Sequence, residues 1–239
     1  MYEVVRSITD LDLLPQRLDD AGYEEFAISR HFDRDLFVAT CRRGFLPMAA
    51  ESDTETPWFL IKCHQQREVL DFPDLHISKS TRRAARGKKI TVNKNMPAVL
   101  EGIAATHWDS WFLPSYVDLL KDIYTHPEPG ITICSFEVYD GDALVAGEVG
   151  YQCGRVYTSL SGFYTVSGAG TVQLCATARI LQFAGFAFWD LGMSVPYKTQ
   201  LGAKPLERHD FLDRYRHAAT EPPVSIATGQ TWDCQELLQ

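Results

Sequence analysis

Between Ile131 and Asp190 the chain carries one continuous sheet-building unit. It is interrupted once, by Ser167-Gly168-Ala169-Gly170 directly before a long apolar helix, and no other stretch limits the possible folds as severely. Residues 131–139 and 143–152 alternate in polarity around an Asp140-Gly141-Asp142 turn, and a Cys153-Gly154 turn leads into 155–164. Period-two patterning bounded by Gly and Asp signals hairpins, so the three segments read as an antiparallel meander. A helix follows from about Thr171 to Phe183. Gly185 stands where a left-handed residue would end it, and Phe186-Ala187-Phe188-Trp189-Asp190 returns as a strand. The connection is then a right-handed strand–helix–strand crossover, with strands 155–164 and 186–191 running parallel. Strands in series followed by such a crossover place the chain in the α+β class.

At the start of that helix the first backbone N–H groups lack intrahelical partners, and the macrodipole presents partial positive charge. Gly168 and Gly170 let a ligand approach the backbone closely. The order of meander, glycine loop, helix and strand resembles the core of the GCN5-related N-acetyltransferase fold, whose loop holds a pyrophosphate as helix N-termini generally do. A glycine turn that simply starts a helix is the plainer reading of the same residues.

Length allows one large or two modest domains, and the ordinary apolar and charged fractions suit a folded soluble protein. Met1-Tyr2-Glu3-Val4-Val5-Arg6 shows no apolar leader, and Asp, Arg or Gly interrupts every apolar run before it could span a bilayer, so an intracellular, cytoplasmic protein without a membrane partner is expected. Six cysteines with no C-x-x-C pair point to reduced, mostly buried thiols; Cys63-His64 lacks a second ligand pair at zinc spacing, and no metal is expected. A net charge of −8 disfavours general polyanion binding. Distribution modifies that conclusion: Lys79, Arg82, Arg83, Arg86, Lys88, Lys89 and Lys94 follow one another with no acidic residue among them. This stretch is either an RNA-backbone contact or a solvated face.

Asp33 caps a short helix that Gly44 ends, and 45–47 continues extended. Residues 51–57 read as a loop, 58–62 as a strand, and Ser78 or Ser80 as the cap of a helix carrying the basic cluster. Met96-Pro97 opens a helix over 98–105, 108–113 is loop, and 114–124 is an amphipathic helix with Tyr116, Leu119, Leu120 and Ile123 on one stripe. The tail after Thr220 reads as irregular. A small N-terminal α/β domain over 1–66 followed by an acetyltransferase-like domain over 67–239 is the expected division.

Several separated strings occur in one order: Arg42-Arg43-Gly44-Phe45-Leu46-Pro47, Arg67, Leu75-His76-Ile77-Ser78-Lys79-Ser80, Trp111, Ser135-Phe136-Glu137-Val138-Tyr139, Leu144-Val145-Ala146-Gly147, then Asp190 with Leu201-Gly202-Ala203. Together they resemble the leucyl/phenylalanyl-tRNA–protein transferases over roughly 27–215. The resemblance implies a small N-terminal domain packed on an acetyltransferase-like one and no coenzyme A. It implies transfer of an amino acid from a charged tRNA to the N-terminal amine of a protein with a basic first residue, as an N-degron tag. Aminoacyl-tRNA and an acceptor N-terminus would be the partners of a monomer.

Such chemistry needs positioning and a carboxylate to take the proton of the attacking amine, because the aminoacyl ester is already activated. Asp190 matches the first residue of the family's Asp-x-Gln string, with Gly192 where the glutamine stands. Leu160 replaces the acidic residue of the family's Gly-Glu-Ser-Met-Phe-Ser, read here as Ser159-Leu160-Ser161-Gly162-Phe163-Tyr164. At the helix start, Gly168-Ala169-Gly170-Thr171 replaces Asn-Ala-Ser-Lys. Glu148 stands where the family has an apolar residue lining the pocket for the transferred side chain. A carboxylate there is costly unless paired with a cationic substrate group or an internal arginine. Trp111, Phe163 and Tyr164 are candidate walls for an aminoacyl-adenosine end, or else core aromatics. The expected site is therefore Asp190 and Glu148 as catalytic carboxylates, with Trp111, Leu160, Phe163, Tyr164, Gly168, Gly170 and Thr171 binding substrate and Lys79, Arg82, Arg83, Arg86, Lys88 and Lys89 binding RNA. Two other functions stay open: a coenzyme A-dependent N-acyltransferase binding acetyl-coenzyme A at 168–171 with Glu148 as base, and a family member that has lost its chemistry and binds RNA or protein.

Overall fold

The computed structural model describes residues 2–22, 25–106 and 111–239. Among them the N-terminal part contains β1 (Glu3–Val4), α1 (Leu14–Asp20), β2 (Phe26–Ser29), α2 (Arg34–Arg42), β3 (Leu46–Ala50) and β4 (Trp58–Lys62), with the strands forming a four-stranded sheet in the order β1-β2-β4-β3. The Asp33 carboxylate accepts from the Leu36 N–H and starts α2, and Gly44 at φ 78° ends it, as the sequence predicts.

The rest of the chain builds one eight-stranded sheet from β5 (Gln66–Leu70), β6 (Lys88–Val92), β7 (Ile131–Asp140), β8 (Ala143–Cys153), β9 (Val156–Tyr164), β10 (Phe188–Gly192), β11 (Lys204–Glu207) and β12 (Thr231–Asp233), ordered β11-β5-β10-β9-β8-β7-β6-β12. Strands β7, β8 and β9 form the expected antiparallel meander, and β10 lies parallel to β9 with Asp190 opposite Thr158. The helices here are α3 (Lys79–Ala84), α4 (Met96–Thr106), α5 (Pro114–Thr125), α6 (Ala169–Ala184), α7 (Pro196–Leu201), α8 (Arg208–Ala219) and α9 (Cys234–Leu237). The crossover helix α6 begins two residues before the predicted start, on Gly168 at φ 82°, and ends on Gly185 at φ 88°. Both glycines hold left-handed backbone that other residues rarely adopt.

Two hydrophobic cores occupy opposite faces of this sheet. One contains Val149, Tyr151, Phe163 and Phe188 with residues of α4, α5, α8 and the N-terminal sheet; the other contains Tyr157, Trp189 and Leu70 with α6 and α9. All six cysteines are buried and free. Of the stripe predicted on α5, Tyr116, Leu120 and Ile123 are buried and Leu119 packs at the margin. Part of the loop predicted over 108–113 lies outside the described residues. No helix among the described residues is long and apolar enough to cross a membrane.

Two elements differ from the sequence reading. Lys88–Val92 is strand β6 rather than a continuation of the basic helix, and the tail is not irregular throughout: β12 pairs antiparallel with β6, and Cys234 and Leu238 are fully buried behind it. Both strands are short and polar, so their pairing partners, not their own periodicity, decide their state.

Candidate active site

Strands β9 and β10 pair only through 156–158 and 188–190. Beyond that point β9 continues to Tyr164 paired with β8, and among the described residues no strand pairs with it there on the β10 side. A register shift opposite Val149 and Gly150 makes Leu160 an extra residue in β9. Bulges re-aim backbone groups and bend a strand, and this one lies where the two strands part, at the end of the sheet from which α6 starts. In parallel sheets such an opening beyond the strand ends is the usual place for a ligand.

Asp190 stands at the vertex of the opening but does not look into it. It is fully buried, its Oδ1 accepting from Arg67 Nε at 3.1 Å and the Gly192 N–H at 3.0 Å, its Oδ2 from Arg67 Nη2 and from Thr158 Oγ1 at 3.1 Å. Arg67 also donates to the Gly44 carbonyl at 3.1 Å and lies over the Phe211 ring. Both carboxylate oxygens are thus engaged by one guanidinium. That arrangement suits a girder tying β5 to β10 and to the turn before β3, and the free proton acceptor expected from the sequence is not what the geometry provides. Gly192 adopts φ 80°, and its N–H reaches Asp190 from a backbone turn that a glutamine would strain.

Glu148, on the opposite face, is 3% exposed. Its Oε1 accepts from Ser159 Oγ at 2.6 Å and its Oε2 from Gln173 Nε2 at 2.8 Å; Trp189 Nε1 holds Ser159 at 2.8 Å, and Gln173 also reaches Thr177 Oγ1 at 2.9 Å. Burial pushes the carboxyl upward from its ordinary range, partly opposed by these donors. No ion pair involves Glu148 among the described residues, so the internal arginine considered above is not there. Two further groups share this face. Lys198 of α7 is 7% exposed, donates to the Met193 carbonyl at 2.7 Å, and is brought down to about 8 chiefly by burial, with Asp190, Glu148 and Glu68 opposing. Glu68 of β5 accepts from Ser194 Oγ at 2.6 Å through Oε1, while its buried Oε2 has no hydrogen-bond partner. The sequence reading missed Glu68, Gln173 and Lys198, since only the antiparallel return of β5 beside β10 and the α6 crossover bring them here.

The other expected site residues divide between the two faces. Phe163 is buried against Gly102 and Gly147, and Trp111 makes edge contacts with Phe112 and Tyr116 at 5.4 and 5.2 Å; with half-buried Leu160 they belong to the α4–α5 core. Tyr164, Gly168 and Thr171 are exposed around the start of α6, and a Cβ at Gly170 would lie 3.0 Å from the Tyr164 ring. Within the basic cluster Lys79, Arg83, Arg86 and Lys89 are exposed. Arg82, although exposed, is tied to the Leu238 and Ile77 carbonyls at 2.9 and 2.8 Å. Lys88 departs from the expected RNA face altogether: it is buried on β6 and paired with Asp140 at 2.8 Å, because its register partner is that aspartate.

Comparison with known proteins matches residues 69–216 to the sequence pattern of the family described as leucyl/phenylalanyl-tRNA protein transferase. Individual members align over nearly the whole chain. The transferase of Cereibacter sphaeroides is 30% identical over 85% of this chain and 93% of its own length. That of Pseudomonas aeruginosa is 29% identical over 91% and 96%. That of Colwellia psychrerythraea is 24% identical over 82% of each. The match covers the meander, the α6 crossover, the parting of β9 from β10 and the chain onward as far as α8, and the chain belongs to the leucyl/phenylalanyl-tRNA protein transferase family.

Proposed function

We propose that this protein is an aminoacyltransferase that moves an amino acid from the 3′ end of a charged tRNA to the N-terminal amine of an acceptor protein with a basic first residue, as an N-degron tag. The observation that carries the reading is that β9 and β10 part beyond Thr158 and Asp190, while β9 runs on along β8 to Tyr164 with a bulge at Leu160. An acyl carbonyl held where the strands part can have the oxyanion formed on attack stabilised by backbone N–H groups. The acceptor amine, once deprotonated, forms the C–N bond, the ester C–O bond breaks, and the departing ribose oxygen takes up a proton. No redox step or external cofactor enters this balance.

Asp190 acts in this reading by holding Arg67, Thr158 and the Gly192 turn, which sets the angle at which β10 leaves β9. Helix α3 packs against α6, with Ala84 Cβ only 3.4 Å from where a Cβ on Gly168 would be, so exposed Lys79, Arg83, Arg86 and Lys89 are carried by elements beside the α6 N-terminus. Phosphates of the acceptor stem would take these cations, and Gly168, Gly170 and Thr171 the terminal phosphates, with Tyr164 as an exposed stacking surface. The reading includes an acetyltransferase-like domain over 67–239 and a small N-terminal domain over 1–66, supported by strands of the first sheet ending at Lys62 and those of the second starting at Gln66. A cytoplasmic monomer completes it.

Incubation with total charged tRNA and peptides beginning with Arg or Lys is expected to add one amino acid to the peptide α-amine, detected by mass shift. Silence with every charged tRNA, together with thermal stabilisation by acetyl-coenzyme A and none by an aminoacyl-adenosine analogue, would replace the reading with coenzyme A-dependent transfer.

A further inference from the structure

Glu68 is 1% exposed and stands on β5 opposite Gly192, the last residue of β10, and opposite Pro205 of β11. Its Oε1 accepts from Ser194 Oγ at 2.6 Å, while its Oε2 is buried with no hydrogen-bond partner. A dry, unpaired carboxylate oxygen is costly, and folded proteins keep few of them. Nothing on the neighbouring strand supplies the missing donor, since Gly192 has no side chain and its N–H is taken by Asp190. Two cations lie near, and both are committed elsewhere. Arg67, adjacent on β5, binds Asp190 and the Gly44 carbonyl; Lys198 of α7, whose field reaches Glu68, donates to the Met193 carbonyl at 2.7 Å. Among the described residues the Ser194 hydroxyl is thus the group that Glu68 is held by.

Ser194 links this buried carboxylate to the surface. Because β10 runs parallel to β9, the segment 193–195 leaves the sheet at the end where the two strands part. Ser194 is exposed there, between Met193 and Tyr197, each 54% exposed. A hydroxyl that donates its proton to a carboxylate keeps lone pairs able to accept from a group arriving from outside. It can therefore pass a proton inward without any room beside the carboxylate itself. Asp190, the other carboxylate at this strand end, has no such link, both its oxygens being held by Arg67.

We propose that Ser194 and Glu68 form the proton relay for the acceptor amine, an inference that deepens the aminoacyl-transfer reading above and rests on it. As the amine nitrogen attacks the ester carbonyl, its N–H proton passes to Ser194 Oγ and the Ser194 hydroxyl proton passes to Glu68 Oε1. The C–N bond forms, the ester C–O bond breaks, and the pair returns the proton to the departing ribose oxygen, so that no proton is gained or lost overall.

The test follows transfer from charged tRNA to a peptide beginning with Arg under single turnover, reading the maximal rate and the peptide concentration that gives half of it. Ser194→Ala and Glu68→Gln are each expected to lower the maximal rate roughly 100-fold with the half-saturating concentration unchanged. Ser194→Thr keeps the hydroxyl and should recover most of the rate, and the double variant should be no slower than the poorer single one, because the two groups act as a unit. A Ser194→Ala rate equal to that of the wild type, a loss confined to half-saturation, a Ser194→Thr variant as slow as Ser194→Ala, or losses that multiply in the double variant would each overturn the proposal while leaving aminoacyl transfer standing. Silence of the wild type with every charged tRNA would remove the transfer reading and the relay with it. Should Glu68→Gln fail to fold, the comparison of Ser194→Ala with Ser194→Thr, at an exposed position, decides alone.

Discussion

A lone aspartate at a strand end invites a role in proton transfer, yet Arg67, arriving from β5, binds both oxygens of Asp190 inside a dry core. Removing one partner of such a pair strands a charge away from water. Arg67→Met is accordingly expected to cost about 3–5 kcal/mol of stability, measured by urea unfolding. Lys198 makes the second prediction at this scale. Its folded value of about 8 lies below the ordinary lysine value of 10.5, so the folded protein holds a buried ammonium at a cost below about pH 8. Between pH 8 and 10.5 the unfolded chain binds more protons than the folded one, and this contribution raises stability as pH increases. Unfolding followed across that range should show the rise in the wild type and a flatter profile in Lys198→Met.

At the scale of elements, α6 is legible in the sequence because its ends are marked chemically, by Gly168 and Gly185 in left-handed backbone, and its apolar length admits no other structure. Helix α2 is legible for the same reason, through the Asp33 cap and Gly44. The basic stretch is not, since seven like charges say nothing about where a helix stops and a strand begins. Gly87 at φ 72° turns the chain between α3 and β6, and register then sends Lys88 inward to Asp140 and Lys89 outward. Replacing Lys79, Arg83, Arg86 and Lys89 by alanine is expected to weaken tRNA binding and to flatten the dependence of log affinity on log salt by roughly 0.7–0.9 for each phosphate no longer neutralised. Lys88→Ala should lower the thermal midpoint instead, with the salt dependence unchanged.

For the whole molecule, the last segment closes a sheet that the chain began far earlier. β12 covers the edge of β6, and Cys234 and Leu238 are buried behind α3 and α6, where Arg82 binds the Leu238 carbonyl. A chain ending at Thr220 would uncover both an apolar surface and a strand edge. It is expected to lose at least ~2 kcal/mol and to self-associate, seen in denaturant melts and size-exclusion chromatography. The sheet also separates two chemistries that sequence places side by side, since Thr158 and Ser159 are neighbours in the chain but serve Asp190 on one face and Glu148 on the other.

Local pattern determined the meander, the crossover helix, the parallel pair and the family, because turn glycines, caps and period-two alternation act over a few residues and leave their mark in order along the chain. Only the tertiary structure decided which carboxylate is bound by a cation and which is not. Arg67 and Asp190 meet across a strand pair formed by residues more than a hundred positions apart, as do Glu68 and the turn after Gly192, and no local rule reports the side chain that will arrive from that distance. Burial, pairing and charge balance are properties of the closed sheet. They bind both oxygens of Asp190 to Arg67 and leave Glu148 held by the neutral donors Ser159 and Gln173.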